Sequence, residues 1–113
     1  MKLPEEAELM RIFIGESDRC DGKPLYEAII LAARQQNLSG ATTFRGMMGF
    51  GAQSRVHTAK YLRLSEDLPI VIEIVDSPEK IEAFLPIIDS MMDEGLVTVE
   101  RAKVIVYRHR KGV

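Results

Sequence analysis

The order of elements predicted along this chain is β-α-β-β-α-β, which indicates an α+β fold built on one antiparallel sheet. Three observations predict it: a β-branched apolar run at residues 68–75, a helix-spaced apolar pattern after Pro24, and a second such pattern after Ser77. In the ferredoxin-like arrangement these elements form four antiparallel strands with two helices on one face. The length of 113 residues is that of one domain, so we expect a single domain over residues 1–113.

The first strand, first helix and second strand are predicted in the N-terminal half. Residues 9–15 form a short apolar run that ends at a glycine, and a polar turn follows it. Pro24 suits the first helical position, and apolar residues recur at helical spacing to about Asn37. We expect Gly40 to be a left-handed cap or turn residue after this helix and residues 41–47 to form the second strand.

The second helix has the clearest boundaries in the sequence. Ser77 is predicted as its N-cap, with Pro78 at the first helical position. Pro86 lies inside the helical pattern and is expected to kink it, and Gly95 is expected to stop it. Two apolar runs then form one last strand or a pair of strands: residues 96–99 and 104–107.

The strand predicted at residues 68–75 has apolar residues on both of its faces. Two helices cover one face of the predicted sheet, so we expect another subunit to cover the other. Glu73 interrupts the apolar run. Because a half-buried carboxylate needs a partner, an arginine or a backbone donor is expected beside it.

The composition excludes several classes of protein. Fifteen Lys and Arg against 17 Asp and Glu give a net charge of −2, so a basic nucleic-acid-binding protein is not predicted. The single cysteine, Cys20, cannot form an internal disulfide, which is typical of a reducing compartment. No stretch approaches the roughly 18 apolar residues of a membrane span, and the first residues lack a signal-peptide core. We therefore expect a cytoplasmic protein.

A basic, glycine-rich segment follows the predicted second strand. Glycines occupy positions 46, 49 and 51, and residues 45–63 contain four Lys or Arg and no Asp or Glu. Glycines let backbone amides point into one concavity, which can hold an anion. The spacing matches neither the Walker A pattern nor the dinucleotide-binding pattern. From the residues alone, a phosphate-binding loop and a glycine bulge with a solvated loop both remain open.

Candidates for metal binding and catalysis are few. Glu16 and Asp18 would share one face of a strand extension, as a carboxylate pair or Mg²⁺ site requires, although their polar turn favours capping or solvation. His57 lies among basic residues, where it could bond a phosphate or remain an exposed loop residue. His57, His109 and Cys20 lack metal-ligand spacing. We therefore predict no metal site and no catalytic residue.

Six short motifs extend over nearly the whole chain: residues 14–18, 24–28, 40–46, 49–51, 56–59 and 68–76. Together they resemble an uncharacterised family of PII-like signalling proteins, a branch of the nitrogen regulatory protein PII superfamily. Similarity to PII proteins themselves is weaker and is mostly limited to the second strand and the order of elements.

The resemblance implies a non-enzymatic homotrimer that binds an adenine nucleotide in the clefts between subunits, with the sheets facing inward. The predicted nucleotide-binding residues are Thr43, Arg45, Gly49, Phe50, Gly51, Gln53 and, from the neighbouring subunit, Arg108, with Arg110 as a second choice. PII proteins carry a basic residue where this chain has Ala52, and the loop at residues 93–96 is shortened. ADP, AMP or a cyclic nucleotide is therefore expected at least as readily as ATP.

The resemblance also implies that a flexible loop, at about residues 52–67, regulates a partner protein. Arg55, His57 and Lys60 are the predicted partner-contacting residues of this loop. A membrane transporter or channel is one such partner by resemblance, and no nucleic acid is expected.

Two alternatives to the regulator remain open at this point. One is a trimeric module of the same fold that binds a divalent metal through ligands such as Glu16, Asp18, Cys20 and His57. The other is a weak hydrolase that uses Glu16 or His57 as a base on a bound phosphate.

Overall fold

The computed structural model describes residues 2–50, 57–58 and 67–110. In chain order, its elements are β1 (Glu6–Gly15), β2 (Arg19–Cys20), β3 (Lys23–Pro24), α1 (Leu25–Gln35), β4 (Thr42–Arg45), β5 (Met48–Gly49), β6 (His57–Thr58), β7 (Pro69–Asp76), α2 (Pro78–Met91) and β8 (Leu96–Lys103). The four longest strands form one sheet in the order β4-β7-β1-β8, and every neighbouring pair is antiparallel. The predicted ferredoxin-like α+β fold is confirmed. No helix among the described residues is long and apolar enough to cross a membrane.

The hydrophobic core lies between the helices and one face of the sheet. Alternate residues of the two central strands point into it, as the two-residue period of a strand requires. Ile12 of β1 pairs directly with Ile72 of β7, and both are fully buried. The other buried residues of this core are Met10, Ile14, Ile70, Ile74, Leu25, Ile29, Ala33, Ile81, Phe84 and Ile88.

The turn predicted between the first strand and the first helix contains a small hairpin, β2–β3. Its two turn residues, Asp21 and Gly22, have φ angles of 50° and 81°. Positive φ at both central positions is what a tight two-residue hairpin turn requires, and Asp-Gly is a preferred pair for it. The dipeptide signalled the turn, but the flanking strands are too short to show a pattern.

The prediction for Gly40 is wrong, because Asn37 adopts the left-handed conformation after α1, with φ of 57°. The amide of Leu38 donates to the carbonyl of Ala33 and that of Asn37 to Arg34, both at 3.1 Å. These two bonds form a Schellman motif, in which asparagine is the usual substitute for glycine. The helix is therefore complete at Gln35, before the chain reaches residue 40.

The predicted cap of α2 is confirmed, since the Ser77 hydroxyl accepts a hydrogen bond from the Lys80 amide at 3.3 Å. The helix continues through Pro86 to Met91, and Gly95 then turns the chain with φ of 132°. A single strand, β8, follows. Residues 104–107 lie outside it, so the second of the two predicted apolar runs is not a strand.

A buried carboxylate joins three elements at one end of the sheet. Asp76 ends β7 and is only 2% exposed. One of its oxygens accepts from the Ser39 amide and the other from the Ser77 amide, each at 2.7 Å. Asp76 therefore fixes the loop before β4 and the start of α2 to the end of the same strand.

The substitution Asp76→Asn tests this junction. The amide keeps one acceptor but places an NH₂ group against a backbone N–H donor, so one charge-assisted bond is lost and a buried donor is left unpaired. We expect the free energy of unfolding to fall by about 2 kcal/mol in urea denaturation. The matched change Asp89→Asn, at an exposed position of α2, should alter it by less than about 0.5 kcal/mol. Equal effects at both positions would contradict the role given to Asp76.

Candidate functional site

The edge strand β4 carries the first two predicted nucleotide-binding residues. Thr43 pairs with Ile72 and faces the helices, and its Oγ1 is buried with no hydrogen-bond partner among the residues that the structure describes. Arg45 lies at the end of the strand, and its guanidinium forms an ion pair with Glu16 at 2.5 Å. The structure therefore leaves the Thr43 hydroxyl available for a further hydrogen bond, whereas Arg45 is already held by a carboxylate.

The glycines after β4 allow close packing against Pro69. The amide of Gly46 donates to the carbonyl of Pro69 at 2.6 Å. A Cβ atom on Gly46 would lie 2.8 Å from Cγ of Pro69, and one on Gly49 would lie 3.2 Å from it. Neither glycine is among the described residues with positive φ. The sequence pattern indicated conformational freedom at these positions, but at Gly46 and Gly49 the requirement is steric.

Large apolar side chains are exposed immediately after β4. Phe50 is 68% exposed, so one face of its ring is accessible to a planar ligand. Met47 and Met48 are exposed as well, so they do not contribute to the core of a single chain. Gly49 pairs with His57 across β5–β6, which brings the backbone of the predicted partner loop back to this edge.

Acidic residues lie in and beside the turn that follows β1, close to Arg45. The Asp18 carboxylate accepts from the Gly15 amide, and the Asp67 carboxylate accepts from the Ser17 amide, both at 2.9 Å. Glu16 pairs with Arg45. These carboxylates have protein partners, and no group of three or more His, Cys, Asp or Glu in the described ranges is placed to hold a metal ion.

Sequence reasoning missed the contacts of Glu16 and Asp67. Glu16 directly follows β1 and Arg45 ends β4, and the two side chains meet only because β4, β7 and β1 lie side by side in the sheet. Asp67 contacts Ser17 for the same reason, since the start of β7 lies beside the end of β1. Neither pair has a local spacing that could have revealed it.

Among the described candidate residues, Gly49 and Phe50 lie at the other end of β4 from Arg108 within one chain. The hydroxyl of the preceding residue, Tyr107, donates to the carbonyl of Ser39 at 2.9 Å. Ser39 precedes β4, whereas Gly49 and Phe50 follow it. Arg108 is exposed and lies near the opposite end of that strand. A site that uses both ends would have to be completed by a second copy of the chain.

Four of the predicted site residues lie outside the described residues: Gly51, Gln53, Arg55 and Lys60. The predicted flexible loop also lies outside them, except for the backbone of His57 and Thr58 in β6 and Asp67 before β7.

The sheet face that points away from the helices, called the open face below, combines apolar rows with one polar row. The registers place three rows side by side at the centre of this face. They are Phe44-Val71-Phe13-Leu96, then Thr42-Glu73-Arg11-Thr98, then Val75-Leu9-Glu100 on β7, β1 and β8. Phe44 and Leu96, at the two ends of the first row, are 49% and 56% exposed. The expected apolar second face is therefore present, but a polar row divides it.

Arg11 lies at the centre of the polar row and pairs with two carboxylates. Its Nε contacts Glu73 Oε2 at 2.8 Å, and its Nη1 contacts Glu100. The hydrogen bond that Arg11 donates to Glu73, followed by the one that it donates to Glu100, raises the pKa of the guanidinium above its usual value. The prediction of a partner for Glu73 is confirmed, and the partner is an arginine.

The chain belongs to a family described as uncharacterized ACR (DUF190, COG1993), whose model matches residues 7–104. A UPF0166 protein of Aquifex aeolicus strain VF5 is 39% identical over 98 residues, which are 87% of this chain and 92% of that protein. A UPF0166 protein of Methanocaldococcus jannaschii is 32% identical over 95 residues, or 83% of this chain and 87% of that protein.

Solved structures of a PII-like protein share the fold. CPII, a nitrogen regulatory PII-like protein from Thiomonas intermedia K12 that was solved bound to ADP, AMP and bicarbonate, matches 88% of both chains with a TM-score of 0.61 and 16% identity. CPII bound to ADP and bicarbonate matches 88% of both chains with a TM-score of 0.58 and 17% identity. The interpretation of the chain as a member of an uncharacterised family is confirmed, and its likeness to a PII-like protein is shown for the fold.

The packing of Gly46 against Pro69 can be tested by the substitution Gly46→Ala. The added methyl group would lie 2.8 Å from a ring carbon that cannot move away easily, so the end of β4 must shift. We expect the free energy of unfolding to fall by about 1–3 kcal/mol, the usual effect of overpacking. Gly40→Ala is the matched control, because nothing lies within 4 Å of its Cβ. A loss of stability at Gly40 as large as that at Gly46 would contradict the steric explanation.

Proposed function

We propose that this protein is a non-enzymatic regulator that binds ADP or AMP in the clefts between the subunits of a homotrimer. The observation that carries the proposal is the exposed ring of Phe50 beside the glycine-packed end of β4, on a fold shared with CPII, which was solved with these nucleotides. The proposed binding residues are Thr43, Arg45, Gly49, Phe50, Gly51, Gln53 and Arg108.

Two features of the edge strand support an adenine-binding cleft. The exposed ring of Phe50 offers a flat apolar surface, on which a purine can stack. The Oγ1 of Thr43 lacks a partner within the described part of the chain and can both donate and accept a hydrogen bond. A purine edge carries both kinds of group, so the pair can supply stacking and polar recognition.

The position of Arg108 supports a site completed by a neighbouring subunit. Within one chain it lies near the far end of β4 from Phe50, yet a phosphate group requires a cation near the glycine-packed end. A neighbouring copy placed against the open face can bring its own Arg108 to this chain's Phe50. Nucleotide binding at this site then depends on assembly of the subunits.

The charges of the loop after α2 favour a nucleotide with one or two phosphate groups over one with three. Asp93 and Glu94 are exposed there, and Asp89 lies in the last turn of the helix. These carboxylates add negative charge at a helix C-terminus, which already carries partial negative charge. A long polyphosphate near them would be repelled, so we expect ADP or AMP to bind more tightly than ATP.

The regulatory part of the proposal concerns residues 52–67. A bound nucleotide can shift the conformations of this segment only if it binds some of them better than others. Arg55, His57 and Lys60 are the proposed contacts with a partner protein, for which a membrane transporter or channel is one class, and the proposed location is the cytoplasm.

Nucleotide binding is tested by titrating the wild type and Phe50→Ala with ADP, AMP and ATP in a calorimeter. We expect the wild type to bind ADP or AMP, and the alanine variant to bind roughly tenfold to a hundredfold more weakly, because stacking contributes about 1–3 kcal/mol per base. Leu31→Ala is the control, since it removes another large, exposed apolar side chain, on α1. A wild type that binds none of the three nucleotides, but is stabilised by a divalent metal alone, would favour the metal-binding module.

Assembly through the open face is tested by Phe44→Asp and Leu96→Asp in sedimentation experiments. Both side chains are about half exposed in one chain, so a carboxylate there should leave the fold intact while opposing burial between subunits. We expect a trimer for the wild type and a monomer for each variant. Leu31→Asp, which places the same charge on α1, should remain a trimer. If the wild type is monomeric, or if the Leu31 variant also dissociates, the proposed interface is wrong.

A further inference from the structure

The ion-paired cluster on the open face consists of Arg11, Glu73 and Glu100, and it lies where a partner surface would cover it. Apolar side chains flank Arg11 and Glu73 on both sides. On one side is the row Phe44-Val71-Phe13-Leu96, and on the other are Val75 and Leu9. A surface that buries both apolar rows must also cover the charges between them.

The cluster is not electrically neutral. The ionisable side chains that face this side from the four described strands are one guanidinium, of Arg11, and two carboxylates, of Glu73 and Glu100. The remaining side chains of the three rows are apolar or threonine. When both carboxylates are ionised, each chain therefore brings one uncompensated negative charge to the open face. In an assembly, every subunit adds one such charge.

Burying an uncompensated charge is strongly unfavourable, because water is removed without a partner to replace it. The excess can be removed by protonation of one carboxylate. Glu73 lies on a central strand and is about one-third exposed, held by Arg11 Nε at 2.8 Å. Glu100 lies on the edge strand β8, and its side chain is 58% exposed. When protonated, it can still accept from Arg11 Nη1 through its carbonyl oxygen.

We propose that assembly through the open face takes up protons at Glu100, so that the trimer becomes tighter as the pH falls. This inference rests on the proposed trimer but not on nucleotide binding. The direction of this pH dependence follows from linkage, because the state that binds more protons is favoured at lower pH. The assembled state binds more protons because covering Glu100 disfavours its ionised form.

The test is sedimentation equilibrium of the nucleotide-free protein from about pH 8 to about pH 5, the range in which folded proteins are usually most stable. For the wild type, the association constant should rise about tenfold per pH unit for each proton taken up by the trimer. Glu100→Gln keeps the acceptor oxygen and removes the charge, so its association should be tight at pH ~8 and nearly independent of pH. Glu82→Gln makes the same change in net charge at an exposed position of α2 and should keep the wild-type slope.

The outcomes separate this inference from the proposed trimer. A wild-type trimer whose association does not change with pH, or a Glu100→Gln variant with the wild-type slope, overturns the inference and leaves the trimer standing. A wild type that is monomeric throughout the range overturns both. Dissociation of Glu100→Gln at every pH also overturns the inference, since it would show that the charge is needed for assembly. Far-ultraviolet circular dichroism at each pH identifies any loss of association that is due to unfolding.

Discussion

The pairing of β1 with β7 determines which side chains lie on each of the two faces of the sheet. Because Ile12 lies opposite Ile72, the even-numbered residues 10–14 of β1 and 70–74 of β7 point into the core against the helices. The same register places Arg11 opposite Glu73 on the other side of the sheet. A slip of one residue would exchange the faces, bury the guanidinium under α1 and α2, and expose the isoleucines. The apolar and the charged patterns therefore specify one alignment.

The elements that depend on local signals could be predicted from the sequence. The β-branched run of β7 and the Ser77 cap of α2 are examples, since each requires only neighbouring residues. Predictions failed where a longer hydrogen-bond pattern decides the outcome. A Schellman motif at Asn37 ends α1 before Gly40 is reached, and no single residue reveals which of two turn-forming positions will complete it.

The candidate site was less predictable, because most of its contacts join distant parts of the chain. The sequence identified the residues around Phe50 through their glycines and the family resemblance. It did not reveal that Glu16 would hold Arg45, nor that Pro69 would be the reason for the glycines. Both contacts follow from strand order, which becomes apparent only when the sheet is assembled. The position of Arg108 likewise depends on the path of the chain after β8.

The polar row between the two apolar rows also affects which surfaces can adhere to this sheet. An entirely apolar face would accept other apolar surfaces in many orientations, including those of unrelated or partly unfolded chains. Here, any surface that covers the aromatic row must also provide polar groups for Arg11 and its carboxylates, or leave them desolvated. The open face therefore disfavours non-specific aggregation, while it keeps enough apolar area for a partner that offers both apolar contacts and polar groups.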